Sequence, residues 1–425
     1  MKAISFLGLN RYQETTYVYQ GQEATTAYFS EALPVFFPNL EQVLVLLTPT
    51  VQNPPPDKPD NWVQVQARLG SLVKPVPIPE GHTEAELWEV FNALTDAVGE
   101  GETVVFDITN SFRSLPFLTF LAAAYLRAAR QVKVHKIVYG AYEARDEATN
   151  RSPVFDLTPS VILLDWLTAT NQFVYTGDAR YLAYLLTKEG KDRNSVALTK
   201  AGDQLQSLSL AMMLCRPLEI MAEAGKLEGA LERAETELAQ WAQPFGLLAD
   251  RIQAEYAAHA LPQPTATENV AIGLYHQLSL IHWYLDNNQV IQAMSLAREW
   301  VITAAGWKLG RGFLLKLGER GTLEWALSGL LRIGREKEDG GIFGVDDLNT
   351  EGQLISAWPE AESLRTLWGN LSGVRNELDH VGMNPGPAKA AKLARKAQEQ
   401  IRPVLDELAT RWGITHHASR ITEAQ

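Results

Sequence analysis

Thr103–Arg130, TVVFDITNSFRSLPFLTFLAAAYLRAAR, is the stretch on which the fold turns. Thr103–Phe106 is a short apolar run, β-branched and aromatic, as a buried strand should be. A polar break follows at Asp107-Ile108-Thr109-Asn110-Ser111. Beyond it lies a long apolar helix with Pro116 close enough to its start to be tolerated in the first turn. Strand, polar turn and helix in that order make half of a βαβ unit, whose turn lies at the carboxyl end of the sheet, where ligands bind. Backbone N–H groups and hydroxyls at a helix start suit an anion, and Arg113 can add a charge-assisted contact. The competing reading is that Asp107, Thr109 and Ser111 only cap the helix.

Outward from this turn, strand and helix signals alternate through the first 150 or so residues. Strands are expected at Ala3–Leu9, Gln42–Leu47, Val73–Ile78 and His135–Tyr139. Helices are expected at Gly21–Phe37, Trp62–Leu69 and Thr83–Val98, and Pro49–Pro59 (PTVQNPPPDKP) reads as an irregular surface loop. Alternation of this kind predicts a parallel sheet covered by helices. From about Pro153 strand-like runs nearly vanish. Helical segments follow at Pro159–Tyr175, Ala179–Lys188, Thr199–Ala224, Leu227–Ala242, Phe245–His259, Thr267–Asp286, Gln289–Leu309, Leu323–Leu331, Glu360–Arg375 and Pro387–Trp412. The fold class is thus α/β followed by all-α, with an N-terminal Rossmann-like parallel-sheet domain over residues 1–156 and a helical region over 157–425.

Hydrophobic content of 46% and charged content of 21% are those of an ordinary globular protein. A formal net charge of −12 argues against broad, salt-driven nucleic-acid binding but leaves room for a local basic pocket. The one cysteine, Cys215, rules out a disulfide within one chain. The start, MKAISFLGL, turns polar too soon for a signal peptide, and no apolar run spans a bilayer, so a cytoplasmic protein without membrane contact is expected. There is no Walker A pattern, no Gly-x-Gly-x-x-Gly after a strand and no metal-ligand spacing among the histidines; His416-His417 lies in a polar tail.

DITNSFRSLPF is similar to the Asp-x-Thr-His-Gly-Phe-Arg-Ser signature of CRISPR-associated Rossmann-fold (CARF) proteins, with Asn110 for the usual His and Ser111 for the usual Gly. The opening AISFLGLNRYQETTYVYQGQEATTAYF resembles that family's first strand and loop. The resemblance implies a domain that binds a cyclic oligoadenylate through two loops. One is Gly8, Leu9 and Asn10; the other is Thr109, Asn110, Ser111 and Arg113.

In the helical half the informative piece is Gly373–Gly382, GVRNELDHVG. Arg375 and His380, five apart, sit roughly 140° apart on one α-helix and can border one cleft if the helix ends near His380, as Gly382, Pro385 and Gly386 suggest. A histidine, with an ordinary pKa of about 6.5, can move protons at a ribose 2′-hydroxyl or a leaving oxygen, and an arginine can hold the scissile phosphate. A surface arginine and a helix-terminal histidine are the competing account. Arg-Asn-x-x-x-His is similar to the catalytic motif of HEPN domains, which implies Arg375, Asn376 and His380 as catalytic residues. With the CARF-like start, the chain resembles the CARF–HEPN accessory ribonucleases (Csx/Csm type) of type III CRISPR systems. Tyr284–Trp300 (YLDNNQVIQAMSLAREW) also resembles a helical-hairpin element of that family. That resemblance implies a homodimer or higher oligomer that cuts single-stranded RNA without a metal. It also implies a cyclic oligoadenylate activator, with cyclic tetra-adenylate favoured over hexa-adenylate. Two other readings stay open: a ring nuclease that degrades the messenger in the CARF site, and a non-enzymatic regulator acting on a partner protein.

Overall fold

The computed structural model of the chain describes residues 1–110, 114–238, 245–313, 315–383 and 385–414. The described residues form two compact units, 1–165 and 166–425.

The first unit is an eight-stranded sheet made of β1 (Lys2–Phe6), β2 (Thr15–Tyr19), β3 (Gln22–Thr26), β4 (Gln42–Leu47), β5 (Val73–Pro77), β6 (Thr103–Asp107), β7 (Lys133–Gly140) and β8 (Arg151–Asp156), in the order β3-β2-β8-β7-β6-β1-β4-β5. The run from β5 to β7 is parallel throughout. Renumbered among themselves, those five strands follow the 3-2-1-4-5 order of a doubly wound sheet. β8 then pairs antiparallel with β7, and the β2–β3 hairpin is added on β8. Helices α1 (Phe29–Phe36), α2 (Pro49–Gln52), α3 (Asn61–Leu69), α4 (Glu84–Asp96) and α5 (Leu115–Arg130) connect the strands.

The central strands are apolar on both faces because both faces are covered. Ala3, Val43, Val45, Val105 and Val138 join a core with Phe29, Leu33 and Val65, residues of α1 and α3. Ile4, Leu44, Leu46, Val104 and Phe106 join a second core with Val90, Leu94, Ala122 and Leu126 of α4 and α5. Gly140 shows how tightly the first core is built: a Cβ there would lie 2.5 Å from the Phe29 ring and 2.8 Å from that of Tyr17.

Two expectations fail locally. Gly21–Phe37 is not one helix: its first part is strand β3, and only Phe29–Phe36 is helical. Gln20 and Gly21, with φ of 49° and 84°, make a two-residue turn that suits the twist of a hairpin. The Thr-rich Gln22–Thr26 then pairs with β2. Pro49–Pro59 is not wholly irregular. Thr48 caps a short helix whose first residue is Pro49, and Val51 on it is buried.

The second unit is all helical apart from turns and one isolated bridge among the described residues. The observed architecture is the expected one, a sheet domain followed by helices. Helix α6 (Thr158–Thr176) starts in the first unit, where Arg127 of α5 pairs with its Asp165. Then follow α7 (Arg180–Asp192), α8 (Val196–Met213), α9 (Pro217–Leu238), α10 (Phe245–Tyr256), α11 (Val270–Asp286) and α12 (Val290–Lys308). The chain closes with α13 (Leu317–Leu330), α14 (Thr350–Ser356), α15 (Ala361–Asp379), α16 (Ala390–Lys396) and α17 (Arg402–Arg411).

Thr199–Ala224 is broken where the periodicity predicts continuity. Cys215 takes a φ of 53°, Arg216 N–H donates back to Ala211 O at 2.9 Å, and Pro217 begins a new helix. Pro387–Trp412 is likewise divided: a π turn at Ala397–Ile401 separates α16 from α17, next to Pro403, which has no N–H to give. Among the described residues no helix is long and apolar enough to cross a membrane.

Candidate functional site

In a doubly wound sheet the strand order reverses between β1 and β6, and the loops leaving their carboxyl ends open a crevice there. Gly8, Leu9 and Asn10 lie on the first of those loops and Thr109 and Asn110 on the second. A Cβ on Gly8 would come within 3.9 Å of Asn110 O, so the two loops face each other. Ser111 and Arg113 lie outside the described residues.

The floor of the crevice is Asp107. It is fully buried, accepts a hydrogen bond from Ser5 Oγ at 2.5 Å and another from Thr109 N–H at 2.8 Å. That second bond, two residues on, is an Asx-type turn that bends the chain out of β6. Thr109 Oγ1 accepts from Gly140 N–H at 2.9 Å, locking the same turn onto β7. Asp107 and Thr109 therefore do not cap α5, whose N-cap is Ser114. Their polar atoms brace the turn. What the turn leaves open is the Asn110 amide, whose Nδ2 is buried without a hydrogen-bond partner.

Burial pushes Asp107 up from an ordinary 3.8 to about 6, against the lowering effect of Ser5 and Thr109. An acid whose pKa rises on folding favours the folded state when protonated. Its contribution is full below about pH 4 and is lost as pH climbs to about 6. A rise of this size corresponds to roughly 3 kcal/mol. Asp107→Asn keeps the shape and mimics the protonated acid. It is expected to match or exceed the wild type in melting temperature at pH 7.5 and to lose the fall in stability between pH 4 and 6. Parallel melting curves for the two proteins across that range would refute the assignment.

Sequence reading missed three residues at this crevice. Asn61, buried at 2% exposure at the start of α3, donates through Nδ2 to Gly8 O at 2.7 Å and Asn10 O at 2.9 Å, and accepts from Tyr28 OH at 3.0 Å. Tyr12 OH accepts from Gly8 N–H at 2.9 Å, and burial pushes that phenol up to about 12. The Gly8 backbone is thus held on both sides, and the loop is preset. Arg145 lies after β7, its guanidinium 4.5 Å from the centre of the Tyr142 ring. It donates to Tyr142 OH, which in turn donates to Gln13 Oε1 at 2.5 Å on the β1 loop. Arg145 Nε is buried and unpartnered. The signal was a cation just past a strand's carboxyl end; nothing in the sequence pairs Asn61 with Gly8.

The second candidate site is the end of α15. Leu364, Leu367, Trp368, Leu371 and Val374 form its buried stripe, and Trp368 Nε1 donates to Ser328 Oγ at 3.1 Å. Arg375, Asn376 and Asp379 fall off that stripe and are exposed. His380 is the C-cap, also exposed, so the helix ends at the histidine. Arg375 Nε pairs with Asp379 Oδ2 at 3.1 Å, one turn on. Lys396 Nζ lies 3.7 Å from where a Cβ on Gly373 would sit, adding a cation that the Arg-Asn-x-x-x-His pattern does not contain. The turn beyond is unusual: Val381, β-branched, holds a φ of 47° before Gly382 at 76°. Val381 and Met383 are 72% and 87% exposed, an apolar rim beside the motif.

Residues 162–260 match the family model described as CRISPR-associated protein MJ1674, second domain. A relative is the CRISPR-associated protein MJ1674 of Methanocaldococcus jannaschii, 30% identical over 118 residues. The alignment takes in 27% of this chain and 18% of that protein. This similarity bears out the CRISPR-associated resemblance. It covers the helices from α6 to α10 and neither the crevice loops nor α15. Among solved structures, Enterococcus italicus Csm6 bound to cyclic hexa-2′-fluoro-hexa-dAMP aligns over 98% of this chain and 95% of that one, with a TM-score of 0.42 and 8% identity. At those values the likeness has no bearing on the chemistry of either site.

Proposed function

We propose that this chain is a type III CRISPR effector in which a CARF-like sheet domain binds a cyclic oligoadenylate and a HEPN-like helical domain cuts single-stranded RNA without a metal. The observation that carries the reading is the end of α15, where Arg375, Asn376 and His380 stand exposed on the last turn of one helix. The match of residues 162–260 to a CRISPR-associated family supports the biological setting. The loops at the β1–β6 reversal supply a braced crevice with an unpaired Asn110 amide and an arginine, Arg145, at its edge. Donors and a cation of that kind suit the phosphates and base edges of a small nucleotide ring.

One arginine and one histidine per chain make a sparse site. The reading therefore includes a homodimer, in which two copies of the α15 end share one cleft and one symmetric ligand lies on the twofold axis. The exposed Val381 and Met383 beside the motif are apolar surface such a pairing would cover.

The test is an RNA-cleavage assay with and without cyclic tetra- and hexa-adenylate. One ring, the tetra-adenylate on this reading, should switch cutting on. Arg113→Ala should raise the activator dose by roughly ten- to a hundredfold, the loss expected for one charge-assisted phosphate contact. Cleavage that ignores both rings would remove the sensor half of the reading, and breakdown of the ring with no RNA cut would favour a ring nuclease.

A further inference from the structure

The helical unit holds a cavity of about 760 Å³, inside the size range of small-molecule sites. It lies between the α8–α9 turn at Cys215, the helices α11 and α12, and the segment around Phe313. It belongs to neither site described above. Its walls are largely apolar, with Leu218, Ile291 and Leu296 among them. Its charges cancel: Arg320 pairs with Glu299 at 2.5 Å and is also held by Thr303 Oγ1 at 3.0 Å, and Arg216 lies 3.7 Å from Glu219. A charged occupant would find no uncompensated partner there.

One group in the cavity is out of keeping with a packing role. Gln277 of α11 is only 3% exposed and lines the cavity, yet its side chain makes no hydrogen bond among the described residues. Its amide atoms open onto the cavity rather than lying sealed in packed protein, so they are free to meet an occupant. It offers a donor and an acceptor side by side, the pair that reads an adenine edge through N6 and N7. Phe313 supplies an aromatic ring nearby: it lies 3.6 Å from where a Cβ on Gly273 would sit, and Gly273 is one turn before Gln277 on the same helix face.

We infer that this cavity binds a neutral purine base or nucleoside, recognised by the Gln277 amide beside the Phe313 ring. The inference stands apart from the RNA-cutting reading and does not need it.

The probe is adenosine, titrated by calorimetry into the full-length protein, with thermal melting as the second measurement. Adenosine should bind and raise the melting temperature, and uridine should bind at least about tenfold more weakly. Free adenine binding as tightly as adenosine would assign the recognition to the base alone, and tighter adenosine would bring in the sugar; either supports the site. Gln277→Met, which conserves volume, should weaken adenosine by about tenfold or more. Without ligand it should melt near or above the wild-type temperature, because the volume is kept and no hydrogen bond to the protein is lost. Three results would overturn the site: no binding at millimolar adenosine, equal binding by Gln277→Met, or a ligand-free variant that melts clearly below the wild type. The last would mean that the protein itself satisfies the amide.

Discussion

His380→Ala is expected to remove RNA cleavage almost entirely, by about 10²–10⁴-fold, the range that one positioned acid–base group supplies. On the proposed reading the 2′-oxygen of the RNA attacks the adjacent phosphorus while its proton is taken up. The bond from phosphorus to the 5′-oxygen breaks, and that oxygen leaves with a proton. The products are a 2′,3′-cyclic phosphate and a 5′-hydroxyl. On the proposed reading Arg375 would offer its guanidinium to the charge that builds on the phosphate, once Asp379, 3.1 Å away, gives it up. The Arg375–Asp379 pair is exposed, so releasing it costs about 1 kcal/mol or less. Three readouts belong to the same prediction. Wild-type cutting persists in excess EDTA, an RNA with 2′-deoxy at the cut site resists, and specific activity falls as the protein is diluted below its dimer dissociation constant. Cyclic-oligoadenylate binding by His380→Ala should stay at the wild-type level in calorimetry. A variant that still cuts, or a strict need for Mg²⁺, would sink the mechanism.

The parallel core was legible because its central strands β1, β4 and β6 are largely apolar and buried, and because β4, β5 and β6 are each followed by a helix. Val43 to Leu47 alternate between the two cores, yet every one of them is buried, so the run reads as strand without ambiguity. The added edge was not legible. β2, β3 and β8 are short, and none is a continuous apolar run like β4. Gln22–Thr26 shows the difficulty: its residues tolerate a helix, and pairing with β2 decides against it. Helix lengths in the second unit were readable from periodicity, but their breaks were not, because periodicity runs straight through Cys215 into Pro217.

The two sites differ in the same way. Arg375, Asn376 and His380 are close in sequence, so a single helix end brings them together and a local motif can announce them. The crevice is assembled from β1, β6, β7 and α3, which lie far apart in the chain. The local signature marked its Thr109 turn, and the Thr109 hydroxyl, which accepts from Gly140 N–H, helps to hold that turn on β7. Arg145 and Asn61 reach the crevice only through tertiary structure.

Asn61 is where that tertiary dependence has its largest expected effect. Its amide satisfies three groups at once, and two of the three bonds, to Gly8 O and from Tyr28 OH, are buried. Asn61→Ala removes their partner and gives nothing in return, at about 1–3 kcal/mol for each group left unpaired. The Asn10 carbonyl is on the exposed side and can turn to water. The sum, roughly 2–6 kcal/mol, should lower the melting temperature of the sheet domain by on the order of 10 °C. Asn61→Asp separates the terms, since a carboxylate can still accept from Tyr28 but cannot donate to Gly8 or Asn10. It should loosen the β1 loop while the Tyr28 contact stays in place. If that loop carries ligand contacts, both variants should need more activator yet reach full RNA cleavage at saturation, whereas His380→Ala shows no cleavage at any dose. An Asn61→Ala protein that melts at the wild-type temperature would show that the loop is not braced through this amide. Its part in presetting the crevice would then have to pass to Tyr12, whose hydroxyl holds the other side of Gly8.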